Sequence, residues 1–225
     1  MTDAPSLKES SCDRLLDAAV RVIRARGYSG TRVEDICAAA KLTKGGFFHH
    51  FESKEACAIA AARRFAVNAD NLFAAAAYAQ LPDPRDRVLG YVDFRKAILK
   101  GELPEFTCLL GTMAQEAYET HPAIRAACDR YIREHAARLE ADIAEAKRLY
   151  TPDADWTPAS AALFAQAVLQ GGFVLAKASY GAKVAEDCLD HLKRYFEGLL
   201  AVELAPARLT RQGAAFPGLQ PDDQG

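Results

Sequence analysis

No run in this chain alternates apolar and polar residues with β-branched enrichment, so strands are not expected. Cys12, Cys37, Cys57, Cys108, Cys128 and Cys188 stand far apart without a CxxC pair. That spacing argues against a zinc ribbon or a disulfide scaffold and leaves six thiols. The apolar runs meet a charge before the roughly 18 residues that a membrane span requires; the run at 173–176 ends at Lys177. The opening MTDAPSLKESSCDR lacks an apolar stretch between a basic start and a small-residue cleavage site, so no secretion signal or membrane partner is expected, and the cytoplasm is the expected compartment. Overall basicity is missing too: the formal charge is −2, which moves any nucleic-acid contact onto a local surface. There is no HExxH, no glycine-rich phosphate loop and no nucleophile elbow, and His49 and His50 leave a helix about 100° apart. Neither an enzyme, a metal site nor a cofactor is expected.

What the chain does have is helix-forming residues in quantity. Its 225 residues are half apolar and a quarter charged, enough for a sizeable core. Eleven Lys and Arg stand against eight Asp and Glu through Arg64, a net +3, and the remainder carries −5. A basic front and an acidic back suggest two tasks. Ser10 or Ser11 caps a first helix with Leu15, Leu16, Ala19, Val20 and Ile23 on one face and Arg14, Arg21 and Arg24 on the other, stopped by Gly27. Thr31 with Glu34 reads as a capping box for a short helix broken near Lys41 and Leu42, and Thr43 caps a second short piece to about Phe51. Ser53 opens a longer helix over 54–79. Further helices are expected over 85–99, 105–118, 122–150, 158–180 and 184–204. The fold class is all-α: a three-helix helix-turn-helix domain over 1–52, a larger helical effector-binding and dimerisation domain over 53–204, and a flexible tail over 205–225.

Three helices in the first 52 residues, two of them short and joined by a tight turn, are the pattern of a DNA-reading helix-turn-helix. A recognition helix needs small residues where its backbone nears the duplex, and Gly45 and Gly46 supply them, at about 1 kcal/mol each against alanine. Lys44 can reach a guanine edge or a phosphate, Phe47 a thymine methyl, and Thr43 can hold a phosphate while capping its helix. The segments DRLLDAAVRVIRARGYSG and TRVEDICAAAKLTKGGFFHHFESKE resemble the TetR family of transcriptional regulators, over about residues 13–55. The resemblance implies that the second short helix enters the major groove, that Thr31, Arg32 and Lys54 grip the DNA backbone, and that a C-terminal helical domain dimerises and binds a small ligand. His49 and His50 take the place of the family's aromatic pair. Phe48 stands where tyrosine is usual, removing a hydroxyl, and Gly46 lacks a base-reading side chain; specificity then rests on Lys44, Phe47 and DNA shape.

A three-helix reader makes a small footprint, so two copies are expected to share a palindromic operator. Leu189, Leu192, Phe196, Leu199 and Leu200, with Gly171 and Gly172 in the preceding helix, form the expected dimer stripe, with ordinary intramolecular core as the other reading. The segment FTCLLGTMAQEAYETHPAIRAACDRYI, with LQGGFVLAKA, is similar to a branch of that family that includes NemR-like sensors of electrophiles and oxidants. On this reading Cys108 is a reactive thiol beside Lys177, with Phe173 and Met113 near by in an effector-sensing site. The alternative is that Cys108 is a small buried hydrophobe and Lys177 reaches to water. The expected function is a homodimeric repressor released from double-stranded DNA by a small-molecule or reactive effector. A helical ligand-binding or interaction protein without DNA is the other reading.

Overall fold

The computed structural model describes residues 10–201 and contains ten α-helices and no strand among them. Expectations for the 205–225 tail lie outside the described residues. Helix α1 (Ser11–Arg26) is capped by Ser10, whose hydroxyl accepts the Asp13 N–H, and ends at Gly27 with φ 78°, a conformation that glycine adopts without a Cβ penalty. Helix α2 is Val33–Ala40, closed by Lys41 at φ 55°. Helix α3 is Lys44–His50, with the Thr43 hydroxyl accepting the Gly46 N–H at 3.1 Å. One of its unpaired first-turn amides is thereby satisfied.

The cap of α2 lies one residue later than the Thr31–Glu34 box predicts. The Asp35 carboxylate accepts the Arg32 N–H at 2.8 Å, while the Thr31 hydroxyl turns inward and donates to the Gly27 carbonyl at 2.6 Å. Asp35 also takes the Arg26 guanidinium at 2.9 Å, tying the end of α1 to the start of α2.

Helix α4 (Lys54–Ala74) is shorter than expected; a single 3-10 turn at Ala77–Gln80 follows it. Then come α5 (Pro84–Ala97), α6 (Leu103–Phe106), α7 (Leu109–Ala117), α8 (Pro122–Tyr150), α9 (Pro158–Ser179) and α10 (Lys183–Leu199). The expected 105–118 helix is two pieces because Thr107 and Cys108 are extended, and Cys108 caps α7 with its sulfur facing the Gly111 N–H at 3.5 Å.

Two apolar clusters hold the molecule together. In one, Leu15, Ile23, Ile36 and Phe47 from α1–α3 pack with Leu109, Met113 and Ile124 from α7 and α8. The α1–α3 unit is therefore seated on the body by a shared core. The other gathers Phe73, Val88, Ile143, Leu169, Leu189 and Phe196. Helix α9 is long and apolar enough by composition to cross a bilayer, with a mean hydropathy of 1.5 over its best window, which corrects the expectation drawn from its interrupting charges. In the fold only 44% of that window is buried, through Ala161, Ala162, Ala165, Leu169, Phe173 and Ala176 against neighbouring helices. Its other face stays uncovered.

Candidate functional site

Helix α3 shows solvent a surface of Lys44, Gly45, Phe48 and His49, flanked by Lys41 and Thr43. The two glycines have open space in front of them: a Cβ at Gly45 or Gly46 would meet only the Thr43 hydroxyl, at 3.8 and 3.5 Å. Phe47 is not on this surface. It is fully buried, edge-on to Phe48 at 5.3 Å and tilted against Phe51 at 5.5 Å, so the expectation that it meets a thymine methyl is corrected. Phe48, 49% exposed, is the aromatic ring that faces outward.

The polar residues expected at the DNA backbone are differently engaged. Arg32 is exposed. Lys44 makes a 2.7 Å ion pair with Glu34, the residue expected instead to cap α2 with Thr31, and their contact lowers the Glu34 pKa and raises that of Lys44. The Lys54 ammonium donates to the Tyr28 and Thr31 carbonyls at 3.0 Å each and lies 4.2 Å from the centre of the Tyr28 ring. It closes the α1–α2 loop on α4. His50 shares a 2.7 Å hydrogen bond with Ser11, whereas His49 is open. Thr31 is 1% exposed, with its hydroxyl on the Gly27 carbonyl, its N–H on the Tyr28 carbonyl and its own carbonyl on Lys54, so the expectation that it grips the DNA backbone is corrected.

In the body, Cys108, Phe173 and Lys177 line one chamber together with Thr112, Glu116 and Gln170. Lys177 donates to the Thr112 hydroxyl at 2.7 Å, and Thr112 donates in turn to the Cys108 carbonyl at 2.9 Å. Desolvation pulls the Lys177 pKa below its ordinary value. Met113 is not part of this group: it is fully buried in the cluster that joins the body to α1–α3, which corrects its expected sensing role. Burial pushes Cys57 and Cys128 up to about 12, leaving them thiols at neutral pH, while Cys108 is half-buried at a chamber wall. A Cβ at Gly111 would lie 2.0 Å from the Gln170 amide oxygen; the bare glycine is what lets α9 reach in beside Cys108.

Sequence reading gave no sign of Glu116, because a glutamate on a short helix reads as solvent-facing. Its carboxylate accepts the Ser29 N–H at 2.9 Å, and a Cβ on Gly27 would fall 2.1 Å from its oxygen. Glu116 therefore touches both the loop after α1 and the Lys177 chamber.

The expected dimer stripe is also corrected. Leu189, Leu192, Phe196 and Leu200 are 0–2% exposed and belong to the chain's own core, because α10 spends its apolar face on α5 and α9. Gly172 serves the same packing, with its Cβ position 3.5 Å from Ala185. Leu163, Phe164, Val174, Leu175 and Tyr195 are the large apolar residues left uncovered on α9 and α10, around a Gly171 with nothing in front of it.

Comparison with known proteins now adds to this geometry. The model for bacterial regulatory proteins of the tetR family matches residues 15–61, and that for a tetracyclin repressor-like C-terminal domain matches 84–192. The HTH-type transcriptional repressor DhaR of Mycobacterium sp. strain GP1 is 55% identical over 42 residues, 19% of this chain and 21% of DhaR. The HTH-type transcriptional repressor KstR2 of Mycolicibacterium smegmatis is 42% identical over 53 residues, 24% of this chain and 26% of KstR2. The match thus spans about a quarter or less of these curated relatives. The crystal structure of the reduced form of E. coli NemR superposes with a TM-score of 0.71 at 23% identity, covering 82% of this chain and 95% of that one, a likeness of fold. With family models matching both its front and its body, the chain belongs to the TetR family of bacterial regulatory proteins.

Proposed function

We propose that the protein is a homodimeric, sequence-specific DNA-binding repressor of the cytoplasm, with a reading head over 1–52 and an effector-binding, dimerising body over 53–204. The observation that carries this reading is the glycine face of α3. Gly45 and Gly46 each weaken a helix by about 1 kcal/mol against alanine, and among the described residues only the Thr43 hydroxyl comes near the space that they leave. Such a surface suits a close approach to another backbone, and the major groove of B-DNA, about 12 Å wide, admits a helix. Lys44 exchanges Glu34 for a base edge or phosphate, Phe48 takes the apolar contact, and Arg32, Thr43, His49, His50 and Lys54 hold the backbone around them.

Gly45→Ala separates the two roles. It is expected to raise the stability of the free protein by up to about 1 kcal/mol and to weaken duplex binding by roughly tenfold. Chemical denaturation reads the first, and fluorescence anisotropy on a duplex selected from random sequence reads the second. Wild-type affinity should fall with salt at a slope near −0.9 per phosphate neutralised. Unchanged duplex affinity in the variant, or a flat salt response in the wild type, sinks the DNA reading.

Release begins in the body. Cys108, Phe173 and Lys177 form the sensing wall, and Glu116 links it to the loop after α1. A maleimide adds to Cys108 by forming a C–S bond to one alkene carbon while the thiol proton passes to the other. The added bulk displaces Glu116 from Ser29 and shifts the head, a change that favours the conformation unable to span two half-sites. Treatment with N-ethylmaleimide is therefore expected to lower wild-type duplex affinity and to spare Cys108→Ser; an equal fall in both removes Cys108 from the mechanism.

A further inference from the structure

Beside the Cys108 wall lies a second cleft that the reactive-thiol reading does not use. It runs between α1, α4 and α5, with apolar walls that include Val20, Phe65, Leu72, Phe73, Ile98 and Phe106. Phe65, Ala69, Arg95 and Phe106 also line an inner chamber that continues to Leu110, Leu169 and Phe173. Two guanidinium groups stand in these walls. Arg24, from α1, stacks 5.3 Å from the centre of the Phe65 ring, and its Nε is buried without a hydrogen-bond partner. Arg95, from α5, lies 4.2 Å from the centre of the Phe73 ring and donates to the Tyr91 hydroxyl at 3.1 Å and to His135 Nε2 at 2.6 Å.

Charge decides what this cleft accepts. Three acids share the lining of the two chambers, and each is engaged. Asp17 holds Arg64 through two hydrogen bonds at 3.0 and 2.9 Å, Asp70 pairs with Arg138 at 2.7 Å, and Glu105 accepts the Glu102 N–H at 2.7 Å. Among the described residues, neither Arg24 nor Arg95 has a carboxylate within ion-pair distance. His135 gives Arg95 a neutral acceptor rather than a counter-charge, because burial and the neighbouring arginines push its pKa down to about 3. Gln166, buried, donates to Tyr91 at 3.3 Å and adds no charge. Two cations thus face a cleft whose acids are already engaged and whose remaining walls are largely apolar; Glu105 acts on Arg24 only from beyond ion-pair distance, and the desolvation of Arg24 is a cost that an incoming anion relieves.

We infer that the cleft binds an amphipathic organic carboxylate, with the carboxylate between Arg24 and Arg95 and an aromatic or aliphatic body against Phe65 and Phe106. The guanidinium fork suits a planar two-oxygen anion, and the walls suit a ligand with no second charge. Because Arg24 belongs to α1, which packs on α2 and α3, such a ligand ties the body to the reading head by an ion pair absent without it. This inference rests on the reading of the body as an effector domain.

Isothermal titration of the full-length protein with 3-phenylpropanoate, 3-phenylpropanol and 3-phenylpropylamine tests it, with duplex binding measured on the same preparation. The acid is expected to bind, the alcohol at least about tenfold more weakly and the amine not at all. Arg24→Gln and Arg95→Gln should each weaken the acid by about tenfold while leaving the alcohol within about twofold. Arg24→Gln should also blunt the loss of duplex affinity that the acid causes. Should Arg95→Gln lose its helical circular dichroism, Arg24→Gln alone carries the comparison. An alcohol as tight as the acid, both variants binding the acid normally, or no acid binding at millimolar concentration overturns the inference. A wild type that still binds duplex steeply with salt yet ignores the acid loses only this inference; one that binds no duplex loses the regulator reading instead.

Discussion

Phe47→Ala is expected to cost the protein about 3–5 kcal/mol, while Phe48→Ala, one residue on, changes stability by less than about 0.5 kcal/mol and weakens duplex binding roughly tenfold. The two rings touch edge to face at 5.3 Å, but their surroundings are opposite. Phe47 is fully buried in the cluster that joins α1, α2 and α3, and no small group can refill a phenyl-sized hole there without moving three helices. Phe48 is 49% exposed and loses little when truncated. Since a domain's whole stability is about 5–15 kcal/mol, the first change removes a large share of it. Guanidinium denaturation of both variants, with anisotropy on the selected duplex, reads the contrast. A Phe48→Ala protein as destabilised as Phe47→Ala would mean that the outward ring is structural and α3 has another face to the DNA.

The pair also marks where sequence reasoning reaches its limit. Successive helix residues differ by about 100°, so which of two adjacent phenylalanines faces the core depends on the phase at which a seven-residue helix docks. That phase is set by the packing of α3 on α1 and α2, whose buried residues no local pattern within α3 reveals. Signals carried within three or four residues were legible: Ser10, Thr43 and Ser53 each cap the helix that they precede, and Gly27 closes α1. At α2 the Thr31–Glu34 box did not form: the Asp35 carboxylate takes the Arg32 N–H, and the Thr31 hydroxyl goes to the Gly27 carbonyl instead. The break at Cys108 was invisible because no glycine or proline stands there to mark it.

Polar groups inside the body were least legible of all. Arg95 and Gln166 sit on helices whose composition allows them to face water, and only packing turns them inward, while Glu116 stays exposed and reaches the loop after α1 from the chamber rim. Cys108, Phe173 and Lys177, by contrast, were brought together from 65 or more residues apart by a resemblance of segments, and they do line one chamber.

The joint substitution of Phe164 and Leu175 by glutamate is expected to yield single copies near the 24.4 kDa chain mass by light scattering, with duplex affinity lower by about a thousandfold. Both side chains are more than 40% exposed, so the variant should keep its helical circular dichroism and its denaturation midpoint. The half-covered state of α9 is the reason. A helix of mean hydropathy 1.5 that leaves its outer face bare exposes Leu163, Phe164, Val174 and Leu175 in one stripe, extended by Tyr195, whose ring lies 4.7 Å from that of Phe164. A contiguous apolar stripe of this kind on two adjacent helices is the surface that a second copy would bury through a two-fold axis. Gly171 and Gly198, both with empty space in front of them, let the facing helices come close. Four glutamates brought to that axis in a dimer would meet like charge in a place without water, a penalty that separated copies avoid. Substitution of Leu192 is the contrasting case: it is 1% exposed inside one copy, so its truncation to alanine should lower the denaturation midpoint and leave the surviving folded protein paired. If the double glutamate variant still scatters as a pair and binds duplex normally, α9 is not the seam, and the two heads must be held in register by some other surface.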